Sequence, residues 1–151
     1  MIMTDYRARP KADFIQETDW QELYVLTNHW KSDMLFYKDD LKFLHHLIDK
    51  YFIWITQKSN IEEVQKIGRD ILKDTRDCES LIGKIDNHLT HLTALIKEPL
   101  KKDSGKFRDE HQELEDEIAD FIKTVREHRK QLFKVTERVL DSEQLAHLME
   151  K

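Results

Sequence analysis

Eight histidines stand in a chain of 151 residues, and three of them fall where separate helices can bring them together. His29, His88 and His111 each lie in a different predicted helix. Asp33 follows His29 by four residues and Glu115 follows His111 by four, so each imidazole shares a helix face with a carboxylate. Neutral imidazoles and carboxylates on facing helices are the donor set of metal sites in bundles, and such ligands suit zinc, iron or manganese. His29, His88, His111 and Glu115 are therefore the candidate metal ligands. The Glu-x-x-His motif of di-iron bundles is absent from the chain, however. The plainer reading is a set of half-buried histidines paired with neighbouring acids, with no cofactor and no catalytic residue, and it is preferred.

A second polar feature is His128, which a heptad reading places on an apolar seam. Its expected neighbours are Thr75 and Leu44, with His45 just off the seam. A hydrogen bond from His128 to Thr75 is the simplest outcome. The alternative is sensitivity to pH near 6, because protonating a core imidazole is costly.

These residues need long helices to hold them. Ile61, Val64, Gly68, Ile71, Thr75, Cys78, Ile82, Ile85, Leu89, Leu92 and Ile96 follow one another at alternating steps of three and four. That heptad pattern predicts a helix over about 60–98 lying in a coiled-coil-like seam. Upstream, Leu23, Trp30, Met34, Tyr37, Leu41, Leu44, Ile48, Tyr51 and Ile55 predict a helix over about 18–56. Thr18 before Gln21, or Asp19 before Glu22, would cap it. Downstream, Phe107, His111, Leu114, Ile118, Phe121, Val125, His128, Leu132, Val135 and Val139 predict a third over about 106–140. Acids crowd its first half and bases its second, which suits the helix dipole.

Short connections near residues 57–60 and 98–105 make sequential helices antiparallel neighbours. The expected architecture is all-α, an elongated antiparallel three-helix bundle with helices ~50–57 Å long. After residue 140 the third helix either continues or breaks into a short fourth over 145–150. Residues 1–17 read as a loosely held arm ahead of a single bundle domain, 18–151. Folding the first two helices about residue 58 sets His29 level with His88. Folding the next pair about residue 100 sets His88 level with His111 and Glu115.

Composition narrows function. A net charge of −5 disfavours a general nucleic-acid binder. The basic half of the third helix, with Arg7, Arg9 and Lys11, is the one counter-argument. No apolar run is long enough to span a bilayer, and the first residues lack the core of a signal peptide. One cysteine, Cys78, cannot form an internal disulfide, and a buried thiol in a reducing cytoplasm is expected. Neither a phosphate-binding glycine loop nor a nucleophile elbow is present.

The first helix carries a second apolar stripe of Phe36, Phe43, Leu47 and Trp54, roughly 110° from the first. Phe36, Phe43 and Trp54 are candidate interface residues. The preferred reading is thus a non-enzymatic helical interaction or scaffold protein, associating with itself or with another helical protein. The alternative is a metal-binding bundle.

Overall fold

A computed structural model describes residues 19–58, 61–98 and 104–140 and carries three helices: α1 (Trp20–Lys58), α2 (Ile61–Lys97) and α3 (Ser104–Leu140). The fold is an all-helical three-helix bundle. The proposed N-terminal arm, the connecting residues and the tail after Leu140 lie outside the described residues, as does the question of a fourth helix.

Of the two capping signals at the start of α1, the second is used. The Glu22 backbone N–H donates to Asp19 Oδ1 at 2.8 Å, so Asp19 is the cap residue. The expected glutamate three positions on is present, and the helix begins at Trp20.

The helices divide into two compact units. Among the described residues, the first comprises α1 up to Lys38 with the part of α2 from Cys78 and α3 up to Phe121, and the second comprises the rest of α1, α2 up to Asp77 and α3 from Ile122. Pairings within the first unit run antiparallel. Cys78 Sγ donates to the Met34 carbonyl at 3.3 Å, while Lys31 reaches Asp86 at 2.8 Å, further along α2 and earlier on α1. Lys84 likewise meets Glu117 at 2.9 Å, and His88 meets His111 at 2.7 Å. In the second unit, Asp74 meets His128 and Asp70 lies near it.

The core of α1 is as expected from its spacing: Leu23, Trp30, Met34, Tyr37, Leu41, Leu44 and Ile48 are all buried. Trp20 joins Leu23, Leu92, Leu95 and Phe107 in an apolar cluster at one end of the first unit. Removing each such side chain from water contributes about 1.5–3 kcal/mol. Cys78 is buried, as expected of an inert thiol.

On α2 the stripe is rotated from the expected one. The buried set is Val64, Ile67, Ile71, Asp74, Cys78, Leu81, Ile85, His88, Leu92 and Leu95. Every second position of the expected seam is kept, but the alternates fall one residue earlier. Ile67 replaces Gly68, Asp74 replaces Thr75, Leu81 replaces Ile82, His88 replaces Leu89 and Leu95 replaces Ile96. The buried set still takes two positions per heptad, turned about one residue around the helix from the expected pair of columns. The rotation puts two polar residues, Asp74 and His88, into the core.

Gly68 is therefore not the small seam residue that its spacing suggested. A Cβ built on Gly68 or on Gly83 meets nothing within 4 Å, and both sit inside a helix at ordinary dihedrals. Gly68→Ala and Gly83→Ala are each expected to raise stability by about 0.5–1 kcal/mol through the restored helix propensity. Urea denaturation checks this, and a loss of stability in either variant contradicts the space seen there.

A candidate polar site in the bundle core

Two buried polar layers contain histidine, one in each unit. In the first unit, α2 presents His88 and α3 presents His111, 8% and 0% exposed. His88 Nε2 and His111 Nδ1 are 2.7 Å apart and share one hydrogen bond. Aromatic rings close both faces of the pair. Phe107 stacks on His88 with centroids 4.3 Å apart, and Trp30 from α1 stacks on His111 at 4.6 Å. His91, one turn after His88, meets the Phe107 ring edge-on at 4.7 Å.

A neutral imidazole has one donor and one acceptor nitrogen, so the shared bond fixes the protons of both rings together. His111 Nε2 is buried with no hydrogen-bond partner. If His111 accepted from His88, that atom would carry a stranded N–H. If His111 Nδ1–H donates to His88 Nε2, the stranded atom is only a lone pair. The second arrangement is the less costly one.

The surroundings hold both rings neutral. Burial, then the neighbouring His91, pushes His88 down from 6.5 to about 4. Burial, then His88 and Arg108, pushes His111 down to about 3. The unfolded chain takes up these protons near 6.5, whereas the folded chain resists them. The stability tied to the neutral pair is thus fully present above about 6.5 and is lost as pH falls toward 4.

On one side the pair approaches solvent. A cleft of about 330 Å³ between α2 and α3 is lined by His88, His91, Asn87, Glu110, Glu113 and Glu117, among others. Lys84 at its edge is engaged by Glu117.

In the second unit, His128 Nδ1 donates to Asp74 Oδ2 at 2.5 Å, and its Nε2 lies 3.7 Å from Asp70 Oδ2. Asp74 is 1% exposed. Burial raises its carboxyl above the ordinary range, while the His128 bond and charge oppose that rise. Taken alone, Asp74 therefore favours the fold at low pH and loses that contribution as pH rises, opposite in sign to the histidine pair. Asp70 also accepts from Lys66 Nζ at 2.7 Å. Both ring nitrogens of His128 face carboxylates, which is a clamp on an imidazole and not a free catalytic base.

The expected hydrogen bond from His128 to Thr75 is not formed. Thr75 Oγ1 donates instead to the Ile71 carbonyl at 2.9 Å within its own helix. The rotation of α2 turned Asp74 inward, and a carboxylate is the stronger acceptor. His45 pairs at the surface with Asp49 at 3.4 Å.

Of the four candidate metal ligands, the structure joins His88 and His111 and buries Glu115 one turn further along α3. His29 is only half-buried, and its neighbour Trp30 is the α1 residue that reaches the pair. The facing nitrogens of His88 and His111 are engaged with each other. Among the described residues no group of three or more His, Cys, Asp or Glu is placed to hold a metal ion.

Spacing alone did not single out Trp30 or Asp74 as site residues. The available signal was the column Ile67, Asp74, Leu81, His88 and Leu95, whose apolarity nearly equals that of its neighbour.

The chain matches no protein family, no curated protein and no solved structure. No helix among the described residues is long and apolar enough to cross a membrane.

Proposed function

We propose that the chain is a non-enzymatic helical interaction protein that self-associates along the outer face of α1. The supporting observation is the exposure of two large aromatic side chains on that face. Phe36 is 53% and Phe43 54% exposed, and they lie seven residues apart on one helix. Large apolar groups left in water at heptad spacing are the mark of a surface that meets another helix. Val25, 55% exposed, falls on the same side at 100° per residue. Trp54 continues the spacing, but its side chain lies outside the described residues. A second copy of the chain is the proposed partner, with another helical protein as the alternative occupant. A reducing, cytoplasmic setting is part of the proposal and fits the single buried thiol.

Two differently tagged copies, expressed together, are expected to co-purify. Phe36→Glu combined with Phe43→Glu is expected to abolish co-purification and leave the helical circular dichroism intact, since neither ring belongs to the core. Wild-type copies that separate cleanly, or a double variant that pairs as well as wild type, would contradict the proposal.

A further inference from the structure

We propose that the His88–His111 pair is an acid-responsive latch of the first unit: proton uptake by the pair releases α2 from α3 there, while the second unit stays packed. The geometry carries this in three steps. The single proton shared by the two rings is a buried hydrogen bond that joins α2 to α3, beside the stacking of Phe107 on His88. A further proton has two places to go, and both are unfavourable. On His111 Nε2 it is buried with no acceptor. On His88 Nε2 it breaks the shared bond and sets two donors against each other at 2.7 Å. The cleft beside His88 gives protons a route from solvent without global unfolding.

The charged groups around the pair do not relieve this cost. From α2, the neighbouring His91 opposes protonation of His88. From α3, Arg108 opposes protonation of His111. Glu110 and Glu113 attract the proton, but they are exposed on the cleft wall and screened by water. Glu115 on α3 and Asp33 on α1 are buried carboxylates within about a turn of His111 and Trp30. The Trp30 face offers a favourable contact, a cation–π interaction with a protonated His111. The second unit responds differently, because His128 is already held by the carboxylates of Asp74 and Asp70.

Amide hydrogen exchange of the full chain, measured from pH 7 to 5 with a chelator present and corrected for intrinsic rates, tests the latch. Protection over residues 84–91 and 107–118 is expected to fall by up to about tenfold per pH unit below 6.5 for each proton taken up. Protection over residues 67–78 and 122–132 is expected to hold. His88→Phe combined with His111→Phe keeps an aromatic layer that cannot titrate, and its protection is expected to be flat with pH. His88→Gln combined with His111→Gln supplies the same comparison with a polar layer, should the apolar one repack. The latch is overturned by wild-type protection that is flat to pH 5, by loss that is equal in both units, or by the same acid loss in the double variants. The last result would place the response outside the pair.

Discussion

Asp74→Ala is expected to destabilise the protein by about 2 kcal/mol, within the range for stripping a buried group of its hydrogen-bond partner. The substitution leaves His128 facing the core without its 2.5 Å partner, and the ring is too enclosed to recover that bond fully from water. The loss stops short of the top of that range because the His128 side chain keeps 17% of its exposure, so solvent offsets part of it. Asp74→Asn, which can still accept a hydrogen bond, is expected to cost about 1 kcal/mol. Replacing both partners, Asp74→Leu with His128→Leu, is expected to be neutral or stabilising, since desolvation of the pair is removed along with its attraction. Urea unfolding at pH 7 measures all three. An Asp74→Ala variant as stable as wild type would show that the carboxylate is not held in the core.

Trp30→Ala is expected to cost about 3–5 kcal/mol, the usual range for deleting a fully buried aromatic ring. Trp30 is 1% exposed and is the residue through which α1 covers His111. Its removal should also readmit water to the imidazole. Part of the burial that depresses His111 is then relieved, and acid sensitivity should weaken as stability falls. Trp30→Phe keeps an aromatic face and is expected to lose much less. Chemical denaturation at pH 7 and pH 5 separates the two effects. A Trp30→Ala variant with unchanged stability would mean that α1 does not pack as described.

The helices were legible in the sequence because their apolar spacing is nearly unbroken, and the α1 and α3 cores follow the expected positions closely. The rotation of α2 was not legible. At each turn two adjacent columns compete: Ile67 against Gly68, Asp74 against Thr75, Leu81 against Ile82, His88 against Leu89, Leu95 against Ile96. The default rule keeps a carboxylate and an imidazole outside a core, which favours the wrong column. What reverses the choice is a partner on another helix, His128 for Asp74 and His111 for His88. A pairing between residues 54 or 23 positions apart has no local signature. The level of the His88–His111 layer was nonetheless readable from loop midpoints, because the connections are short. The identity of the α1 residue in that layer was not, since a one-residue error exchanges His29 for Trp30.

Asp74 and His88 stand 14 residues apart in α2, two heptads, each meeting a histidine of α3. Polar layers of this kind set the register between helices at some cost in stability. Such a helix pair has one way to align.

Sedimentation equilibrium of the full chain at pH 7, over a range of micromolar concentrations, tests the proposed function most directly. A concentration-dependent species near twice the 18.3 kDa chain mass is the expected result. A single 18.3 kDa species at every concentration would contradict self-association through α1.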